Sequence, residues 1–385
     1  MDYIISLEDI FKAYFECRKN KRRTANALRF EIDYEPLCVQ LWKDINEGTY
    51  SIGKSIAFIV TKPKPREVFA ATFRDRIVHH IIAIRLEPLF EKYFINDIYN
   101  CRKGKGTLYG VKRLYEQIKL ASNNYNKDCF IVKFDLKGFF TSIDKVLLNT
   151  MLQQFIDTKY FGEDKSIIKE LVRMIVMHCP EKNCILKSNP KMWRLISNSK
   201  SLFHNGDLKG LAIGNLTSQL FANFFLAEFD SIENNKFKGY GRYVDDFFII
   251  SEDKKSILSD INYIKSFLHN RLNVTLHPNK IYLQHFNKGI KFTGSVIKPN
   301  RLYIGNATVS NMYKKIDHFN YIISNRKNIG IYDIRKFISS INSYLGLMRH
   351  YSSFNMRKSL IRRISYKWWD YCYVPDNLNK VCFKI

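Results

Sequence analysis

The chain has 385 residues, 46% of them hydrophobic and 15% aromatic, which excludes a peptide hormone, a linker or a disordered segment and leaves room for two or three packed units. Its 62 Lys and Arg stand against 36 Asp and Glu, a formal charge of +26 spread along the whole length, so a polyanionic partner is expected. No run approaches the ~18 apolar residues of a membrane span, and Asp2, Glu8 and Asp9 spoil a signal-peptide pattern, so a cytoplasmic protein with no membrane partner is expected.

No internal repeat of about 20–50 residues and no Pro/Gly/Ser linker divides the chain, so its parts are expected to interweave. Residues 6–50 read as helical and carry a basic run, Lys19, Lys21, Arg22 and Arg23, which is either a solvated face or a phosphate contact. Residues 55–62 alternate as a short strand that Lys62-Pro63-Lys64-Pro65 interrupts. A helix follows over residues 75–94, with Ile77, Ile81, Leu86, Leu89 and Phe90 turned inward. Residues 130–134 read as a buried strand that ends on one carboxylate, in Phe134-Asp135-Leu136-Lys137-Gly138-Phe139-Phe140. A lone aspartate there is ordinarily a turn or a helix cap.

The eight cysteines are scattered, and the closest pair, Cys179 and Cys184 beside His178, lacks the second pair a zinc site needs, so reduced thiols are expected. The block Gly210-Leu211-Ala212-Ile213-Gly214-Asn215-Leu216-Thr217-Ser218-Gln219 holds glycines that let backbone approach a base or nucleotide, though a loop-to-helix join explains two of them equally well. Residues 241–251 form the second β-rich piece and contain Tyr243-Val244-Asp245-Asp246, followed by the apolar run Phe247-Phe248-Ile249-Ile250. Adjacent aspartates between apolar strands are costly, because like charges held together raise a pKa or demand a cation. At a hairpin tip both strands bury their apolar residues while the carboxylates project toward a hard cation; a merely solvated Asp-Asp turn is the plain alternative.

A third β-rich piece covers residues 289–297, after His277-Pro278-Asn279-Lys280. The C-terminal part turns helical, with Ile334, Phe337, Ile338, Ile341, Tyr344, Leu345 and Met348 at helical spacing. Residues 355–369 add Arg357, Lys358, Arg362, Arg363 and Lys367, which predicts a small, basic, all-helical end domain. Asp135 and the Asp245-Asp246 pair together make the three-carboxylate ligand set of a two-metal site, which aligns a hydroxyl with an α-phosphate and neutralises charge on leaving pyrophosphate. In a basic chain that chemistry suits nucleotidyl transfer.

The Asp135 segment, the Tyr243–Asp246 box and the spacing between them resemble motifs A and C of reverse transcriptases. Further blocks resemble the family's fingers motifs in the family's order: Lys62-Pro63-Lys64-Pro65-Arg66-Glu67, Phe73-Arg74-Asp75-Arg76-Ile77-Val78-His79-His80 and Cys101-Arg102-Lys103-Gly104-Lys105-Gly106-Thr107. The resemblance runs nearly end to end. It implies an α+β fold, a right-hand polymerase with a ferredoxin-like antiparallel palm sheet, fingers and a small all-helical thumb. The implied division is an N-terminal extension and fingers over 1–128, a palm over 129–304 with 148–210 contributing partly to the fingers, and a thumb over 305–385 whose basic residues, Arg362 and Arg363 among them, meet duplex phosphates.

The same resemblance implies roles. Asp135, Asp245 and Asp246 hold two magnesium ions, Arg66 grips the incoming triphosphate, and Phe140 fills the space a ribose 2′-hydroxyl needs. Lys280 resembles the lysine that protonates leaving pyrophosphate, although its surroundings depart from the commoner Lys-Thr form. Phe292-Thr293-Gly294 resembles the turn that holds the primer end and is equally an ordinary hairpin.

Ile213, Gly214, Asn215 and Gln219 fall in the block that meets the template base and nucleotide. Most reverse transcriptases have Gln-Gly and Ser-Pro there; this chain has Ile213-Gly214 and Ser218-Gln219, which looks like the enzymes of diversity-generating retroelements in bacteria and phages. That subtype implies cDNA synthesis on a template-repeat RNA with errors opposite adenine, and partners that include template RNA, primer or cDNA, dNTPs and a small basic oligomeric accessory protein. The alternatives are a phage-defence, retron or group II intron lineage, or a non-catalytic RNA-binding palm protein. Against the intron type the chain ends at 385 without maturase and endonuclease extensions; against the retron type Ser218-Gln219 replaces Ser-Pro.

Overall fold

The computed structural model describes residues 3–19, 24–326 and 328–384, so Lys21, Arg22 and Arg23 of the basic run lie outside the described residues. The chain divides into two compact units. The first comprises Met1–Gly106, Lys133–Ile249 and Lys255–Tyr282; the second comprises Thr107–Val132, Ile250–Lys254 and Leu283–Ile385. The strands in chain order are β1 Ser55–Val60, β2 Arg66–Ala70, β3 Phe130–Asp135, β4 Cys184–Leu186, β5 Gly239–Tyr243, β6 Asp246–Ser251, β7 Tyr282–His285, β8 Ile290–Phe292, β9 Ser295–Lys298, β10 Arg301–Ile304, β11 Cys372–Tyr373 and β12 Cys382–Phe383. They assemble into sheets ordered β2-β1-β4, β5-β6-β3-β7, β10-β9-β8 and β11-β12. Helices and antiparallel pairings dominate, a mixed α+β architecture.

In the first unit, the region expected to be helical over 6–50 is three helices, Leu7–Arg18, Ala25–Ile32 and Tyr34–Asn46. Ser6 and Thr24 start the first two by accepting the Asp9 and Ala27 N–H groups, as short polar caps do. The first helix packs against Phe73–Tyr93, which begins two residues earlier than expected because Thr72 caps it through the Asp75 N–H.

The strand expected over 55–62 is the first arm of a hairpin. β1 and β2 pair antiparallel from Ile56↔Ala70 to Val60↔Arg66, and pairing stops there because Pro63 and Pro65 have no N–H to donate. Arg66 is therefore left exposed at the loop end of the hairpin. β2 itself was not anticipated, since five residues opening on two charges do not read as a strand.

In the second unit, β8, β9 and β10 form a meander that replaces the single expected β-rich piece, and helices Asn306–Asn325, Ile331–Met348 and Phe354–Arg363 follow. Their core is aromatic: Trp368, fully buried, stacks on Phe337 at 4.1 Å and 6°, and Phe319 meets both edge-on. The helix expected over 355–369 ends at Arg363. Asn320 causes the break by donating Nδ2 to the Arg363 carbonyl and accepting the Ser365 N–H, which occupies groups the helix would need to continue. The end region is also not wholly helical, because β11 and β12 pair through Cys372↔Phe383 across a Pro375-Asp376-Asn377 turn.

Trp368→Ala is expected to destabilise the protein by about 3–5 kcal/mol, the usual range for emptying a buried aromatic site. A urea melt against Trp368→Phe, which keeps the stack on Phe337, is the check.

Candidate active site

β5 and β6 are joined by only Val244 and Asp245, so the carboxylates of Asp245 and Asp246 sit where the hairpin turns. Phe247, Phe248, Ile249 and Ile250 are fully buried and pin β6 in the sheet. Val244 takes φ +61°, a left-handed conformation that costs a β-branched residue on the order of 1–3 kcal/mol. β3 ends at Asp135 beside this turn: the Leu136 N–H donates to the Asp245 carbonyl at 3.1 Å, and Phe134 stacks on Phe247 at 4.8 Å. On its other side the His277 N–H donates to the Asp135 carbonyl and the Lys137 N–H to the Thr275 carbonyl. Two backbone ladders thus bring Asp135 against the Asp pair, 110 and 111 positions later in the sequence.

The electrostatics report the same proximity. Burial, then the neighbouring Asp135 carboxylate, push the Asp245 carboxyl above its ordinary range, while Lys280 and Arg66 pull it back. Burial also raises the Asp246 carboxyl, with the Lys133 ammonium opposing and the Asp245 and Asp135 charges adding to the rise. Lys280, on the turn after His277, donates to Asp135 Oδ1 at 2.7 Å, and Lys133 Nζ lies 3.1 Å from Asp246 Oδ1. That oxygen is buried and takes no directed hydrogen bond.

A hard divalent cation fits this donor set: three carboxylates supply oxygen ligands, and two ammoniums already mark cation positions. Lys133 was not singled out from sequence, but strand alternation places it on the face of β3 that carries Asp135, two residues on. A different group, Cys179, Glu181 and Asp207, has its ligand atoms within 4.8 Å of one another. It is already filled by lysines: Lys145 Nζ lies 3.3 Å from Cys179 Sγ, and Lys182 pairs with Asp207. All eight cysteines are free thiols.

Several of the residues expected near the nucleotide are joined through the backbone. The Phe69 N–H donates to the Ile213 carbonyl at 2.9 Å and the Ala71 N–H to Asn215 Oδ1 at 3.1 Å, which lays the 210–215 loop along β2, the strand that begins with Arg66. Gly214 has φ +120°, and a Cβ there would stand 2.7 Å from Val68 Cγ1, so only glycine lets the loop lie this close. Loop and Phe140 turn are joined as well, the Leu211 N–H donating to the Phe140 carbonyl at 2.7 Å. Gln219 lies exposed in the helix Leu216–Phe225, its Oε1 accepting from Cys101 Sγ at 2.8 Å.

Sequence reading also passed over Glu67. Its buried carboxylate accepts from Trp193 Nε1, Ser201 Oγ and the Leu202 N–H at 2.7–2.8 Å, which ties the 193–202 segment to the strand carrying Arg66. Phe292-Thr293-Gly294 belongs to the second unit, where Thr293 and Gly294 form the tight turn between β8 and β9.

A family model described as reverse transcriptase (RNA-dependent DNA polymerase) matches residues 60–297. No curated protein matches the chain at a significant level. Among solved structures, apo telomerase from Candida tropicalis truncated from its C-terminal domain aligns at 14% identity and TM-score 0.47, covering 66% of this chain and 55% of that one. Apo telomerase from the same organism aligns at 10% and 0.48, covering 86% and 63%. Telomerase from Candida albicans in complex with a fragment of telomeric RNA aligns at 10% and 0.47, covering 87% and 60%. The chain thus spans between 55% and 63% of the lengths of these telomerase chains.

A raised carboxyl pKa has a definite sign for stability. Above the unfolded value near ~4 the ionised group weighs against the folded state, and below it the penalty vanishes. Asp245→Asn is therefore expected to raise the melting temperature by a few degrees at pH 7 in a chelator, with the gain fading below about pH 4. Thermal melts across that range check it, and a lower melting temperature at pH 7 contradicts it.

Proposed function

The chain belongs to the reverse transcriptase (RNA-dependent DNA polymerase) family, whose model covers more than half of it, and from that premise we propose that it copies RNA into DNA at Asp135, Asp245 and Asp246. The observation that carries this reading is the backbone ladder from Leu136 to Asp245, which holds carboxylates remote in sequence beside one another. Two magnesium ions, when bound by the three aspartates, would supply Lewis acidity to the primer hydroxyl and neutralise charge on the α-phosphate and leaving pyrophosphate.

The protein groups divide the remaining work. Arg66, exposed at the hairpin end and close enough for its charge to act on Asp245, grips the triphosphate with a planar fork of donors. Lys280, paired with Asp135, is the group we assign to give a proton to pyrophosphate. Phe140 occupies the room of a 2′-hydroxyl, which selects deoxynucleotides. Gly214, close against Val68, and its neighbours Ile213 and Asn215 form the floor under the nascent pair, with Gln219 beyond them.

The finer reading is the polymerase of a diversity-generating retroelement, which makes cDNA from a template-repeat RNA with adenine-directed errors and works with a small basic oligomeric accessory protein. Ile213 supports it: an apolar side chain at this place offers no amide to the nascent pair and leaves discrimination to shape. The fingers, palm and thumb are assigned to 1–128, 129–304 and 305–385, with part of 148–210 in the fingers.

In the thumb, Arg363 is held by Asp317 through paired bonds at 2.8 and 2.9 Å, and Arg357 turns to the carbonyls of Asn377 and Leu378. Arg362 and Arg363 are both exposed, and with Lys358, exposed on the same helix, they are assigned to phosphate; Arg363 does so at the cost of a weak surface ion pair.

Primer extension on an RNA template with magnesium tests the activity: wild type extends, Asp135→Asn and Asp246→Asn do not, and no extension by the folded wild type with its natural RNA would favour a binding protein. Arg66→Ala is expected to raise KM for dNTP by about 10–100-fold, the worth of a charge-assisted contact. Error counts should concentrate opposite template adenine; equal error at all four bases points to another bacterial lineage. Arg362→Ala with Arg363→Ala should flatten the salt dependence of duplex binding by about one contact each, and an unchanged slope would refute that placement.

A further inference from the structure

The left-handed turn at Val244 is held by side chains from outside the hairpin tip. Its N–H donates to Asn100 Oδ1 at 2.9 Å and its carbonyl accepts from Arg242 Nη1 at 2.9 Å, so both peptide groups of the strained residue are fixed. Asn100 is gripped in turn by Asn223: Asn100 Nδ2 donates to Asn223 Oδ1 at 2.8 Å, and Asn223 Nδ2 returns a bond to the Asn100 carbonyl at 3.0 Å. The Arg242 guanidinium spreads over Asp230, with Nε on Oδ1 at 2.7 Å, and over Asn223 Oδ1 at 3.2 Å, while the Tyr240 hydroxyl completes Asp230 at 2.6 Å. Backbone bonds from the Arg242 N–H to the Asp97 carbonyl and from the Tyr99 N–H to the Arg242 carbonyl lay the 97–100 segment beside β5.

Asn100, Asn223, Asp230 and Arg242 are all at most 4% exposed. A buried ion pair of this kind contributes little to stability over apolar packing, so its presence asks for a reason in specificity. The reason lies one residue along the chain. Asp245 follows Val244 directly, and the Asp245 carbonyl accepts the Leu136 N–H, the bond that ties the hairpin to the residue after Asp135. Were φ of Val244 to relax to the ordinary negative range, Asp245 would swing away from that bond and its carboxylate would leave the position beside Asp135.

We propose that Asn100 and Arg242 are positioning residues: they clamp Val244 in the left-handed turn and thereby set where the Asp245 carboxylate stands. Neither touches substrate; both act through Val244. The proposal rests on the polymerase reading for its kinetic readout, and on geometry alone for the rest.

Glycine adopts the left-handed region freely, so Val244→Gly removes the need for a clamp without removing the network. The test compares Asn100→Ala made in the wild-type chain with Asn100→Ala made together with Val244→Gly, each against its own parent. It reads kcat and KM for dNTP, the midpoint of manganese binding by electron paramagnetic resonance, and a crystal structure of the Asn100→Ala single variant. The expected result in the wild-type chain is a 10–100-fold fall in kcat with KM changed less than threefold, a weaker manganese midpoint, and Val244 out of the left-handed region. In the Val244→Gly background the same substitution should cost less than threefold. Asn100→Ala that folds only together with Val244→Gly also supports the clamp. Equal losses in both backgrounds, an unmoved turn, or failure to fold in both would make the network ordinary core and overturn the proposal. If wild type makes no DNA, the polymerase reading falls, while the manganese midpoint and the turn conformation still decide the clamp.

Discussion

Holding Asp135 against Asp245 and Asp246 is the constraint around which the first unit is organised. Burial and mutual repulsion both work against these carboxylates, and the Asp245 and Asp246 carboxyls are pushed upward as a result. The fold overcomes this with covalently enforced geometry, a two-residue turn and paired backbones, and with Lys280 and Lys133 as internal counter-ions. A site built in this way is poised for a cation of higher charge and stronger oxygen preference than an ammonium.

The nucleotide side follows the same logic of enforced closeness. Gly214 allows the 210–215 loop to lie on β2, the prolines after Val60 leave Arg66 at the hairpin end, and Glu67 ties the 193–202 segment to the next residue of that strand. Arg66, Ile213 and Phe140 are thereby tied together by backbone contacts rather than by flexible side chains, the kind of rigid support that the proposed nucleotide contacts call for.

Much of this was legible in the sequence because it is written in contiguous signals. The Asp-Asp box stands out as two charges between apolar strands, Asp135 ends a β-rich run, and the motif order matches a polymerase hand. What escaped depends on partners remote along the chain. β2 becomes a strand only because β1 lies beside it, the helix after Phe354 stops where Asn320 reaches across, and the C-terminal strand pair needs its two halves, each only two residues long, to meet. Single polar residues such as Lys133, Glu67 and Asn100 carry no local pattern that marks them. Their roles come from burial and from the groups that tertiary structure sets opposite them.

Manganese soaked into crystals of the protein, located by its anomalous scattering, tests the central claim most directly. Peaks bridging Asp135 with Asp245 or Asp246, with Lys280 and Lys133 displaced from their carboxylates, are the result this account predicts. Density at Cys179, Glu181 and Asp207 with none among the three aspartates would contradict it.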